Sequence, residues 1–269
     1  MWSDRGPLRY ERLTWPEVRR AAGEDRVAVV PVATLEDHGP HLPVDTDLRI
    51  VSEICERAAA RASDRVVLLP AIPHGYDPHH MDFPGAITIG WDTFVRYCAD
   101  VGRSLAHHGF RRMLFLNGHG SNQNLVETAA RLVMVDRPGV LAAAAFYLAS
   151  PAAFEVIGRV RESTRGGMAH ACELETSLYL HLQPEAVDMA QAVDERGYPA
   201  TGHAWMDWSD GPLKLMPWWS SFSESGVQGD ATRATAAKGK ALFEAATEEI
   251  ATYVSELQEL PLPRREDHH

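Results

Sequence analysis

An α/β fold built on a mostly parallel sheet is predicted by the way short apolar runs and longer amphipathic stretches alternate along the first half of the chain. The runs Val27–Val32, Val66–Leu69, Met113–Leu116 and Val140–Leu148 are rich in β-branched or small apolar residues and have the length of buried strands. Between them lie Asp47–Ala62, Thr93–His108 and Gln123–Arg137, each with helical apolar periodicity.

Ahead of the first strand, Thr14-Trp15-Pro16-Glu17 has the spacing of a capping box with proline near the first helical position, which predicts a short helix through Ala22. Gly109 ends the second long helix, and Pro138-Gly139 ends the third. After about Ala149 the alternation weakens. A helix including Leu174–Leu182, an irregular Gly-, Pro- and Trp-rich stretch over Tyr198–Gly229 and a closing amphipathic helix from Thr232 to about Leu257 are expected. No repeat or low-complexity linker marks a boundary, so residues 1–269 are read as a single domain.

Composition removes several classes of function. The chain is 45% hydrophobic and 23% charged, ordinary for a globular protein. Its longest apolar run, Val140–Ala149, is about half the ~18–20 residues of a membrane helix. The start, MWSDRGPLRYER, carries charge where a signal peptide needs an apolar core, so a cytoplasmic location is expected. A net charge of -11 opposes a phosphate backbone, and the basic pairs Arg19-Arg20, Arg111-Arg112 and Arg264-Arg265 are short, so no nucleic-acid partner is expected. Cys55, Cys98 and Cys172 are widely spaced without a CxxC pair, which predicts reduced thiols. His268-His269 is set aside as a native end or a tag remnant.

In an open parallel sheet the ligand site lies beyond the carboxyl ends of the strands. The three strand-to-helix loops there, residues 33–47, 71–92 and 117–122, hold a dense share of the histidines and carboxylates. In the first, Glu36 and His38 are two apart and project to one side of an extended chain, while Asp47 arrives at the start of the next helix. The third, Leu116-Asn117-Gly118-His119-Gly120-Ser121-Asn122, places a histidine between glycines directly after a buried strand. Singly, each signal is weak, and a lone ExH in a loop is more often surface chemistry than a metal site. Together, imidazoles and carboxylates without thiolate suit Zn, Mn or Fe, and a bridging acid such as Asp47 suits two ions ~3.5–4 Å apart.

Other candidates keep two readings. Asp77, His79, His80 and Asp82 either reach the substrate or form a solvated turn. His41 either orients a ligand or packs against backbone. Cys172 reads as a small buried residue rather than a nucleophile. Trp205, Trp208, Trp218 and Trp219, with Met206 and Met216, supply a ligand wall, a subunit contact or core filling. A helix turns ~200° in two residues, so only one of Glu173 and Glu175 faces the metals.

Five segments in order, VVPVATLEDHGPHLPVDTDLRI, HHMDFPGAITI, LNGHGSN, HACELETS and SGVQGDATRATAAKG, closely resemble the signature of the creatininase (creatinine amidohydrolase) family over Val29–Gly239. The resemblance implies a parallel sheet sandwiched between helices and a homo-oligomer, usually a hexamer. It also implies two divalent metal ions per chain held by Glu36, His38, Asp47 and His119, with Asp47 bridging and Glu175 a further acidic ligand. His170 is similar to the family histidine that handles protons, so His170 and Glu175 are the catalytic candidates. The implied activity is hydrolysis of a small polar substrate, foremost a C–N bond in a cyclic amide or formamide. Ring opening of a carbocyclic ketone of the diketo-inositol type and peptide trimming of the mycofactocin-maturation type are the alternatives. Creatinine-hydrolysing members carry a glutamate where this chain has Ser121, which leaves a coordination position for Glu175. A non-catalytic structural metal site fits less well, since such sites are closed and thiolate-rich.

Overall fold

The computed structural model describes residues 8–269; the charged N-terminal stretch weighed against a signal peptide begins in residues 1–7, outside the described residues. Five parallel strands form the main sheet in the order β1-β3-β2-β4-β5: β1 (Leu8–Arg9), β2 (Val27–Val32), β3 (Val66–Leu68), β4 (Arg112–Asn117) and β5 (Leu141–Phe146). The intervening helices are α1 (Trp15–Gly23), α2 (Thr46–Arg61), α3 (Trp91–His107) and α4 (Gln123–Asp136). Beyond the sheet come α5 (Pro151–Val160), β6 (Met168–His170), α6 (Glu173–Leu182), β7 (Asp194–Glu195), β8 (Gln228–Asp230) and α7 (Ala236–Glu259). Strands β6, β8 and β7 make a small antiparallel sheet.

Strand β2 is buried throughout because both faces of the sheet are covered. Val27 and Val29 pack toward Ile50 and Ile54 of α2, Leu178 of α6 and Leu242 and Ile250 of α7. Ala28, Val30 and Val32 pack toward Phe94 and Val95 of α3 and Val126 and Val133 of α4. The sheet is therefore sandwiched between helices, as expected. Its register sets Val32, Asn117 and Phe146 level, so the loops that follow leave from one edge.

The expected strands and long helices are present. The α1 capping box forms too, with the Thr14 N–H donating to the Glu17 carboxylate at 2.8 Å. Three features differ. Strand β1 and the small antiparallel sheet have strands of two or three residues, too short to leave a periodic signal. Helix α5 occupies the segment where alternation fades, and its start is nonetheless explicit: the Ser150 side chain accepts the Ala153 N–H and Pro151 opens the helix. Helix α7 begins at Ala236 rather than Thr232, because Asp230 accepts the Thr232 N–H and holds a tight turn, after which Thr235 caps the helix by accepting the Lys238 N–H. The three cysteines are buried free thiols; burial pushes Cys98 up to about 12 and raises Cys55 and Cys172 as well.

Helices α6 and α7 approach closely at Gly239, where an added Cβ would overlap the carbonyl oxygen of Ser177. Overpacking of this kind costs about 1–3 kcal/mol. Gly239→Ala should lower the midpoint of thermal unfolding accordingly; an unchanged midpoint would contradict the close α6–α7 contact.

Candidate active site

The first loop continues β2 as extended chain. Leu35 makes an antiparallel bridge to Ile87, and the Glu36 N–H donates to the Val44 carbonyl at 3.2 Å. Glu36 and His38 are thereby driven inward and fully buried, and Asp47 joins them from the first turn of α2. The third loop is locked by Asn117, whose side chain accepts the His119 N–H at 3.1 Å and donates to the His119 carbonyl at 2.6 Å.

The four side chains converge. His119 Nδ1 lies 3.0 Å from Glu36 Oε1 and 3.0 Å from Asp47 Oδ2. His38 Nε2 lies 3.3 Å from Asp47 Oδ1 and 3.9 Å from Glu36 Oε1. Asp47 thus turns one oxygen toward each histidine. Glu175, in the first turn of α6, lines the same cavity of about 280 Å³ with Glu36, Asp47, His119 and His170. A larger cavity of about 610 Å³, between Arg9, Arg57 and Phe243, lacks histidine among its described lining residues.

Glu173 faces elsewhere, as the helical phase requires. It accepts the N–H groups of Glu162 and Ser163 at 2.9 and 2.8 Å and pairs with Lys238 Nζ at 2.7 Å. His41 Nε2 lies 2.8 Å from the hydroxyl of Thr176, next to Glu175, so it braces the helix that carries that acid. His170 Nε2 is 2.8 Å from the Asp37 carbonyl, which accepts its N–H and leaves the Nδ1 lone pair 3.6 Å from Glu36 Oε1.

Asp77, His79 and His80 are buried, which excludes the solvated-turn reading for these three, whereas Asp82 is exposed and accepts a hydrogen bond from Ser220. His80 Nδ1 pairs with Asp37 Oδ1 at 2.6 Å, and its Nε2 stands 3.6 Å from Glu36 Oε2. Asp37 is the residue sequence reasoning missed: alternation sends it away from Glu36 and His38, yet it is buried against the back of His80 and His170. The tryptophans divide. Trp219 is buried and stacks on His80 at 4.3 Å between ring centroids; Trp208, Met206 and Met216 line the cavity. Trp205 lies under Arg165 outside that lining, and Trp218 is exposed.

The charges conflict without a cation. Burial, then the charge of Asp47, raises Glu36 well above the usual carboxylate range. Burial and the neighbouring Glu36 push Asp77 up to about 10, and burial, partly offset by His38, pushes Glu175 up to about 7. Burial disfavours charge on Asp47 and His38 alike, but their mutual attraction outweighs it, depressing Asp47 and lifting His38 to about 9. Burial and His38 hold His170 well below its ordinary value. Glu36 Oε2, Asp47 Oδ2, both nitrogens of His38, His119 Nε2 and both oxygens of Asp77 are buried without a hydrogen-bond partner. Orphaned oxygen and imidazole donors within reach of one another fit a hard-to-borderline divalent cation, and Glu36, Asp47 and His119 form one such group.

This fold and donor set define a metal-dependent hydrolase. The family model for Creatininase, described as creatinine amidohydrolase, matches residues 11–254, and the chain belongs to that family. The mycofactocin precursor peptide peptidase of Mycobacterium tuberculosis is 32% identical over 241 residues, 84% of each chain. The 3-dehydro-scyllo-inosose hydrolase of Thermotoga maritima is 27% identical over 274 residues, 93% of this chain and 83% of that one. Solved creatininases described as Mn and Zn-Zn forms superpose with a TM-score of 0.78 at 25% identity, over 93% of this chain and 98% of theirs.

Glu173 offers a stability test separate from the site. Burial opposes its charge, but Lys238 and the Ser163 and Glu162 donors outweigh burial and hold its pKa below the ordinary 4.5. A depressed carboxylate stabilises the fold above its unfolded pKa, and the effect fades as pH falls through the folded value. Glu173→Gln should cost about 3 kcal/mol at neutral pH, the low end for a broken buried pair because Lys238 keeps Glu162 at 3.0 Å. The gap in unfolding midpoint between variant and parent should narrow progressively as pH falls below the ordinary carboxylate value toward the depressed folded one. A gap that widens in acid would contradict the pairing.

Proposed function

We propose that the chain holds two divalent ions, Zn, Mn or Fe, through Glu36, His38, Asp47, His119 and Glu175, with Asp47 between them, and hydrolyses a C–N bond in a small cyclic amide or formamide. The observation that carries this reading is Asp47, buried with one carboxylate oxygen directed at His38 and the other at His119. Bound divalent ions supply two things here, a water pKa lowered from 15.7 to ~7 and polarisation of a carbonyl.

The chain's own groups do the rest. Asp37 engages His170 Nε2–H, so Nδ1 is the atom that takes a proton and returns it to the leaving nitrogen, a role worth roughly 10²–10⁴ in rate. Trp219 stacks on His80 and packs edge-on against His170, limiting water around both rings. Ser121 stands where a carboxylate would otherwise complete the donor set, and Glu175 restores that charge from α6.

Two observations keep other substrates in the screen. Likeness to the mycobacterial peptidase favours a peptide, whose scissile bond is also C–N, and likeness to the inosose hydrolase favours a ring ketone. A cytoplasmic homo-oligomer, a hexamer by family resemblance, accompanies this reading; exposed Leu213, Leu215, Met216 and Trp218 supply apolar surface for such a contact.

Lactams, formamides, cyclic ketones and a peptide ending in Val-Tyr should be screened with the metal-loaded enzyme. Turnover of an amide or formamide, lost on chelation, is expected; turnover of ketones alone, or full activity in metal-free protein, would overturn the proposal. Elemental analysis should show Glu175→Gln losing one ion and most activity while Glu173→Gln keeps both. Equal metal content in the two variants would remove Glu175 from the ligand set.

A further inference from the structure

We propose that a second cavity, beside the catalytic one, is a subsite for an oxyanion on the far end of the substrate, a carboxylate or a phosphate monoester. This cavity of about 250 Å³ has Arg165, Tyr198, Trp205, Met206 and Gln228 in its wall. Met206 also lines the catalytic cavity, so the two adjoin. The inference rests on the hydrolase reading for what happens to the other end of the molecule, whereas the subsite itself is built from residues outside the proposed metal ligands.

Two side chains of this wall carry donors that meet no acceptor among the described residues. Gln228 is only 2% exposed, and its Oε1 accepts the Tyr198 N–H at 3.0 Å. That bond fixes the amide orientation and leaves the Nε2 donors over for a ligand. The Arg165 guanidinium carbon stands 4.0 Å from the centroid of the Trp205 ring, and among the described residues no carboxylate or carbonyl meets it. An indole has no lone pair to offer, so the N–H donors of the planar fork stay uncommitted. The free groups are donors only, and one is cationic. A ligand that satisfies both must bring acceptor atoms and negative charge.

The acids nearby already have counter-ions. Asp207 is held by Arg161 at 2.8 Å, Asp210 by Lys214 at 3.1 Å, and Asp194 and Asp230 by Arg196 at 2.7 and 3.3 Å. Arg196 also donates to the Thr164 hydroxyl at 2.6 Å, so Arg165 is the cation of this wall left for a ligand. The turn that carries it is braced: Arg161 donates to the Ser163 carbonyl at 2.7 Å, and the Gly167 N–H to the Thr164 carbonyl at 3.0 Å. Trp205 is fixed in turn by its Nε1–H, which donates to the Ser209 carbonyl at 2.8 Å. Donors held in place this way lose little freedom when an anion arrives.

Titration calorimetry of the metal-loaded protein with phenyl phosphate, phenylacetate and the neutral phenylacetamide tests this without any turnover. At least one anion should bind, the tighter of the two identifying the group, and phenylacetamide should bind about tenfold or more weakly, as loss of a hydrogen bond to a charged group implies. Arg165→Gln, at an exposed position, should weaken the anion by about the same factor. Arg165→Lys should recover part of it, restoring charge without the fork. Gln228→Glu keeps an acceptor for the Tyr198 N–H but puts a negative oxygen where the free donors were, so it should weaken the anion as well. Absence of anion binding, affinity equal to that of phenylacetamide, or an affinity unchanged in either Arg165→Gln or Gln228→Glu, as for an anion held at the metal centre, would overturn the proposal. Anion binding that Arg165→Gln weakens, in a protein that fails every amide in the screen, would leave the subsite standing and remove the C–N reading. Amide turnover without anion binding would remove the subsite alone.

Discussion

Five carboxylates, Glu36, Asp37, Asp47, Asp77 and Glu175, are buried close together, with Glu36, Asp47 and Glu175 lining one small cavity, and their mutual repulsion in a poorly hydrated space is the constraint on which the site depends. The histidines relieve part of it. His80 engages the Asp37 carboxylate and His170 the Asp37 backbone carbonyl, while His38 and His119 flank Asp47, yet seven buried donor atoms on Glu36, His38, Asp47, Asp77 and His119 remain without partners. Cations dissipate that conflict, which is why the geometry reads as a metal centre rather than as a strained polar core.

Holding repelling groups together requires a rigid frame, and the architecture provides it in steps. Parallel register levels the ends of β2, β4 and β5, so the loops that carry Glu36, His38 and His119 start beside one another. Glu175 comes from outside that sheet, on α6, and its placement relies on contacts with no chemistry of their own. Glu173 is tethered to Lys238 of α7, Gly239 lets the two helices close together, and His41 binds Thr176 from the first loop. The acid that departs from the sheet-end pattern is therefore positioned by the second helix layer.

Legibility in the sequence followed the length scale of each signal. Strand β2 and helices α2, α3 and α4 were readable because apolar period persists over whole turns or whole strands, and both core clusters follow from it. The turning apart of Glu173 and Glu175 was readable because helical phase is set by backbone geometry. The small antiparallel sheet was not, since strands of two and three residues owe their form to tertiary pairing. Asp37 was hidden for a related reason: its burial depends on His80 and His170, 43 and 133 residues away, and nothing local marks it. The fates of Trp205 and Trp219 diverge on the same ground, one under Arg165 and the other against His80.

The central claim is that Asp47 stands between two divalent ions. Anomalous diffraction from crystals of the native protein, collected at the absorption edges of zinc, manganese and iron, locates such ions directly. Two peaks about 3.5–4 Å apart, one on each side of the Asp47 carboxylate, are predicted. A single peak away from Asp47, or none in protein that is active, would contradict the account.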